Sequence, residues 1–190
     1  MVTGHLAGAI DAHLSHTGFK VRTVFNPRYA TSNNYFSLLV AQDALEGAEF
    51  IKVDADLLFA PEVLDRLLAA SGDLALGLDR SVKLGAEQMK ILLGTDVKVI
   101  AVSKLLAPDC CAGESIGIEK VNAAFAPVLF EELRRIEHEG ATNAYYEDAY
   151  DRLARREDVD IRGVDVTGLP WAEIDDEQDW RAAHTLFSSA

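Results

Sequence analysis

The chain has 190 residues, 49% hydrophobic and 26% charged, with 31 acidic and 18 basic side chains and a net charge of −13. That length suits one domain, residues 1–190, with a sizeable core, and the acidity argues against nucleic acid or an anionic membrane as partner. No apolar run reaches the roughly 20 residues that cross a bilayer, and MVTGHLAGAIDAHL lacks the basic flank and long apolar stretch of a secretion signal, so a cytoplasmic protein is expected.

Leu6 to Leu14 reads as a helix with Leu6, Ile10 and Leu14 on one face. Lys20 to Asn26 is β-branched and alternating, a strand that stops at Pro27. Asn33 to Leu45 is the next helix, with Ser32 or Asn33 as N-cap. Glu49 to Val53 is a buried strand that runs into Asp54-Ala55-Asp56, and Pro61 opens a helix through Ala70. Leu74 to Leu78 reads as a strand, and Gln88 to Leu92 and Val97 to Val102 as a hairpin around Gly94-Thr95-Asp96. A strand over Ile116 to Val121 precedes helices over Pro127 to Glu139 and Asn143 to Arg155. Val159 to Asp165 is extended, and Asp176 to Ser188 closes the chain as a helix. Alternating strands and helices predict a single-domain, Rossmann-like α/β fold with a mixed, mostly parallel sheet covered by helices on both faces.

The two cysteines, Cys110 and Cys111, are adjacent and cannot form an unstrained disulfide, so both are expected reduced. The five histidines show no metal-ligand spacing, and there is no nucleophile elbow. Carboxylates carry the sharper signal. In open α/β sheets ligands bind beyond the carboxyl ends of strands, and Asp54 and Asp56, on one side of an extended chain, are placed to hold Mg²⁺. A strand end with one acid capping a turn and one in water would show the same pattern. An aspartyl-phosphate phosphatase also ends a strand in this way, but Thr or Ser usually follows where this chain has Leu57-Leu58. Near the C-terminus Glu173 and Asp175 repeat the spacing ahead of a helix that Asp176 caps. Two such pairs converging on one cation would position a polyphosphate for in-line attack. Tyr145, Tyr146 and Tyr150 beside Glu147 and Asp148 suit a cationic head group, although at helical spacing composition alone favours half-buried packing.

Read in order, Val2-Thr3-Gly4-His5, Asn26-Pro27, Thr31-Ser32-Asn33-Asn34-Tyr35-Phe36-Ser37-Leu38 and Val53-Asp54-Ala55-Asp56 resemble the bacterial choline-phosphate cytidylyltransferases. Glu87-Gln88-Met89-Lys90, Gly113 to Lys120, Tyr145-Tyr146-Glu147-Asp148 and Trp171-Ala172-Glu173-Ile174-Asp175 extend the likeness over essentially the whole chain. The resemblance implies a sugar-nucleotidyltransferase-like fold and Mg²⁺-dependent transfer of a cytidylyl group from CTP, or another NTP, to a small phosphorylated alcohol or phosphonate such as choline phosphate. It implies Asp56, Asp175 and Glu173 as Mg²⁺ ligands, Asn33, Asn34, Ser37 and Asp54 near the nucleotide, and Tyr145, Tyr146, Glu147 and Glu173 toward the acceptor. It also implies a Gly-rich triphosphate loop with an Arg and a Lys, which Gly4 and Gly8 do not make. The expected fold therefore lacks that N-terminal strand and loop, and its open sheet edge calls for cover by a partner such as a second copy. Two other functions stay open on the same residues. One is a metal-dependent glycosyltransferase of similar fold, and the other a non-catalytic relative that binds acceptor or partner subunits.

Overall fold

A computed structural model describes residues 1–45 and 47–188. In chain order the elements are β1 (Val2–Thr3), α1 (Ala7–Thr17), β2 (Val24–Phe25), α2 (Asn34–Val40), α3 (Gln42–Leu45), β3 (Phe50–Val53) and β4 (Leu57–Phe59). There follow α4 (Pro61–Ala69), β5 (Leu74–Asp79), β6 (Lys90–Leu93), β7 (Val99–Ser103) and β8 (Gly113–Val121). The chain continues through α5 (Ala126–His138), α6 (Tyr146–Ala154), β9 (Ile161–Asp165), β10 (Trp171–Glu173) and α7 (Glu177–Ser188). No helix among the described residues is long and apolar enough to cross a membrane.

The main sheet has six strands and is organised around β8. On one edge β8 pairs antiparallel with β5, which in turn pairs parallel with β9. On its other edge β8 has two partners in succession: Phe50–Val53 of β3 face Val121 to Ile118, and Lys90 and Ile91 of β6 face Glu114 and Gly113. β7 completes a hairpin with β6. Hence β3, β5, β6 and β9 run one way, with β8 and β7 against them. The sheet is mixed, as expected, although the reversed β8 at its centre makes most of the individual ladders antiparallel.

β5 is buried along its whole length, and its side chains alternate between two cores. Leu74, Leu76 and Leu78 face the larger, which α5 and α6 close with Leu129, Leu133 and Leu153. Ala75 faces the smaller, where Val63 and Leu67 of α4 meet Ile116 and Ile118. Each such aliphatic side chain removed from water contributes about 1.5–3 kcal/mol before chain entropy is charged against it. These two layers fix where the strand ends lie.

Four expectations change in the structure, the first being the single helix over Asn33–Leu45, which breaks at Ala41 into α2 and α3. The predicted Leu6–Ile10–Leu14 face adds nothing to either core: α1 fully buries no residue, Ile10 and Leu14 are half-buried, and Leu6, just ahead of the helix, is 65% exposed. The predicted strand over Lys20–Asn26 shrinks to β2, which pairs parallel with β1. The stretch Leu57-Leu58-Phe59, with no element assigned from its pattern, is a strand paired antiparallel with β10. Strands as short as these lack the length over which alternation is legible. The C-terminal helix starts as expected: Asp176 Oδ1 accepts from Gln178 N and Asp179 N, and Asp179 Oδ2 accepts in return from Asp175 N and Asp176 N.

Candidate active site

The two partners of β8 do not meet end to end. Between them β8 continues through Ser115, Ile116 and Gly117; Asp54 N and Lys52 Nζ donate to Gly117 O, and Ser115 N donates to Met89 O, across the interval. The sheet thus opens on one edge, and the site lies at that opening. Gly117 is required there: its φ is +74°, and a Cβ would stand 2.5 Å from Asp54 Oδ2.

The acids of the Asp54-Ala55-Asp56 segment go to different partners. Extended structure ends at Val53 and residues 55–56 form a turn, so strict alternation does not carry both carboxylates to one side as the spacing predicts. Asp54 turns inward, its Oδ1 2.8 Å from Lys52 Nζ and its Oδ2 accepting from Tyr146 Oη at 2.6 Å. Asp56 stays exposed. The β4–β10 ribbon, which begins one residue later, sets Glu173 opposite Leu57, and Ile174 N donates to Asp56 O at 2.9 Å. Asp56, Glu173 and Asp175 therefore converge, and one carboxylate oxygen of each lies within 4.8 Å of the other two.

Three carboxylate oxygens form a hard-donor set of the kind Mg²⁺ takes, with water and phosphate oxygens completing the octahedron. The residues fit such an ion. Burial pushes the Glu173 carboxyl above its ordinary range, and the negative charges of Asp175, Asp56 and Asp54 push it further, so the cluster is a site of concentrated negative potential. The ribbon itself is tied to the main sheet through Trp171, whose Nε1 donates to Asp79 Oδ2 at 2.7 Å at the end of β5.

Behind Asp54 lies a buried polar group that the sequence did not reveal. Lys52 Nζ sits 3.5 Å from the centroid of the Tyr146 ring and 3.2 Å from Glu119 Oε2, without the alignment of a hydrogen bond. Glu119 is wholly buried; burial, with Asp54 and Glu147 nearby, pushes its carboxyl up to about 8 against the opposing pull of Lys52. Glu147, also buried, is pushed up to about 7 by the same loss of water. Glu119 was inside a family-like segment, yet only the pairing of β3 with β8, Lys52 opposite Glu119, discloses its role.

Two hollows flank Asp54. A groove of about 620 Å³ is lined by Asn34, Ser37, Phe50 to Ala55 and Tyr146. A cleft of about 350 Å³ holds Glu147, Tyr145, Glu114, Trp171, Glu173 and Asp175. Asn34, Asp54 and Leu57 line both.

The remaining sequence candidates fall into place around these hollows. Asn33 is the N-cap of α2, accepting from Asn34 N and donating to Asn143 O, so its side chain is already occupied in holding the helix start. Asn34 Oδ1 accepts from Tyr146 N, and Ser37 Oγ accepts from the buried Asn26 Nδ2. Tyr146 and Tyr150 are buried side by side in the larger core; Tyr146 also borders the groove and reaches Asp54 and Lys52 from behind the site. Tyr145 remains half-exposed at the cleft. Cys110 and Cys111 are free, their sulfurs 4.0 Å apart.

The architecture matches that of solved enzymes. The inositol-1-phosphate CTP transferase of T. maritima superposes with a TM-score of 0.77 at 15% identity, over 98% of this chain and 74% of that one. The CTP:phosphocholine cytidylyltransferase of Streptococcus pneumoniae gives 0.73 at 21% identity, over 98% and 76%. The chain has the nucleotidyltransferase fold. In sequence, the CMP-5'-(3-aminopropyl)phosphonate synthase of Streptomyces rubellomurinus is 30% identical over 207 aligned positions, which take in 99% of this chain and 31% of that one. The chain thus spans about a third of the length of that curated relative, and no family model matches. Within the nucleotidyltransferase fold the acidic triad sits where a strand end meets a hairpin-like ribbon, beyond the sheet's carboxyl edge.

Proposed function

We propose that this protein transfers a cytidylyl group from CTP to a small acceptor that carries a phosphate or phosphonate at one end and a cationic group at the other, releasing pyrophosphate. The observation that carries the reading is the convergence of Asp56, Glu173 and Asp175 beside two hollows on one sheet edge. Solved structures of the same fold and the 30% identical relative, named as enzymes of CTP, phosphocholine, inositol phosphate and aminopropylphosphonate, support it.

Asp56, Glu173 and Asp175 would hold Mg²⁺, which when bound neutralises phosphate charge and lowers the cost of charge build-up at the α-phosphorus. The groove with Asn34 and Ser37 would receive the nucleotide, and the cleft with Tyr145 and Glu147 the acceptor. The acceptor's phosphorus oxygen is already a nucleophile, so no covalent residue is needed and the work of the side chains is positioning. Asp54, fixed by Lys52 and Tyr146, separates the two hollows and sets the approach of one substrate to the other. The cleft's carboxylates and the Tyr145 ring face both favour an ammonium group. The protein is read as cytoplasmic.

Pyrophosphate release from CTP and Mg²⁺, with choline phosphate or 2-aminoethylphosphonate as acceptor, tests the reading. Turnover with one of them, falling on the order of 10²-fold or more in Asp56→Asn, is the expected result. Turnover of a UDP- or GDP-sugar without pyrophosphate, or near-normal rates in Asp56→Asn, would contradict it.

A further inference from the structure

Residues 1–29 differ in kind from the rest of the chain. They hold one acid, Asp11, against Lys20, Arg22 and Arg28, in a protein of 31 acidic and 18 basic side chains. They also expose six large apolar side chains, Met1, Leu6, Phe19, Val21, Phe25 and Tyr29, with Phe19 75% accessible. β1 and β2 pair only with each other, apart from the main sheet, and α1 fully buries no residue. Met1 N donates to Arg22 O, which ties the start of β1 to the stretch ahead of β2. The Phe25 and Tyr29 rings meet edge to face at 6.2 Å, and His5, next to Leu6, lies 6.2 Å from Tyr29. The exposed side chains thus form a connected surface, which in a soluble protein marks a place of contact.

Lys20 and Arg22 give that surface its sign. Both are exposed, and among the described residues neither side chain forms an ion pair, whereas Arg28 is taken up by Glu137. Two unpaired cations beside exposed apolar side chains fit a partner that is acidic and partly apolar. Pairing of the layer with itself would set cations against cations. The chain carries the complement at its other end. Trp180 of α7 is 55% exposed and Leu186 is 42% exposed, and among the described residues no other helix exposes two large apolar side chains. Around them Asp176, Glu177 and Asp179 stand against Arg181 alone.

We propose that the β1–β2 layer of one copy docks on α7 of a second copy of this chain. Phe19, Val21 and Phe25 meet Trp180 and Leu186, and Lys20 and Arg22 meet the α7 acids. The contact is heterologous. Each copy keeps a free layer or a free α7 at its outer end, so association continues past the dimer unless it closes into a ring. Nothing in this contact depends on the transferase reading.

Sedimentation velocity over roughly a hundredfold range of protein concentration is the test. Wild type should assemble as concentration rises and come apart as added salt screens the charged pairs. The double variant Lys20→Glu with Arg22→Glu lacks a competent layer, and Trp180→Ser lacks a competent α7. Each should self-associate more weakly than wild type, by on the order of tenfold or more. Mixed in equal amounts, the two should form a 1:1 complex and grow no further, because each supplies the surface the other has lost. Phe19→Ser and Leu186→Ser carry the same expectations should either first variant melt below wild type. A wild type that stays monomeric at every concentration would overturn the proposal. So would a variant that associates like wild type, or a mixture that does not pair.

Discussion

At Glu119 burial and charge pull in opposite directions. Its carboxyl has lost all contact with water, and only Lys52 favours its ionised form, while Asp54 and Glu147 oppose it. The net effect raises it to about 8 in the folded protein, against about 4.3 for an unperturbed glutamate. Between those values the folded state holds a proton that the unfolded chain has released, so stability falls as pH rises through this window and levels off above it. Glu119→Gln removes that contribution. Thermal melting followed from about pH 6 to about pH 9 should therefore show a clearly shallower decline in the variant than in wild type. Parallel declines would mean that Glu119 is ionised throughout. Little of this was legible beforehand: an acid in the alternating Ile116 to Val121 stretch looks solvent-facing until β3 and β5 are known to enclose β8 on both edges.

The β4–β10 ribbon is the element on which the site depends. It is three residues long on each side, too short to hold its own register, and its anchors lie elsewhere. Trp171 supplies one, through the bond from Nε1 to Asp79 Oδ2. Burial opposes ionisation of Asp79, yet the hydrogen bonds from Trp171 and Ser81 hold its carboxyl below the ordinary range. Trp171→Phe keeps an aromatic ring and deletes the donor, leaving a charged, buried acceptor short of one partner, at a cost of roughly 1.5–3 kcal/mol. Urea denaturation should show that loss, and divalent-cation affinity should fall with it, because Glu173 ends the same strand and Asp175 follows it two residues later. A variant that loses stability while binding cations as tightly as wild type would separate the ribbon from the site. Of this element the sequence displayed the acids and their spacing; it concealed the pairing of Leu57–Phe59 with Trp171–Glu173, since neither segment is long enough to show a period.

For the whole molecule, the order of elements and the two-faced sheet were legible because long apolar runs such as Leu74–Asp79 and amphipathic helices such as Ala126–His138 leave strong periodic signals. What the pattern did not convey is that β8 divides its edge between β3 and β6, and that the division makes the opening where the acids meet. Nor did it convey that α1 packs its predicted face on no core residue. The acids themselves come from segments more than a hundred residues apart, 56 on one side and 173 and 175 on the other, brought together by strand pairing alone. Binding of one cation by that set is the claim on which the functional reading depends. Mn²⁺, a spectroscopic substitute for Mg²⁺ with similar oxygen preference, can be titrated by electron paramagnetic resonance in wild type, Asp56→Asn and Asp175→Asn. One bound ion per chain, weakened on the order of tenfold or more by either substitution with the fold intact, is the expected result. Undiminished Mn²⁺ binding in both variants would contradict it.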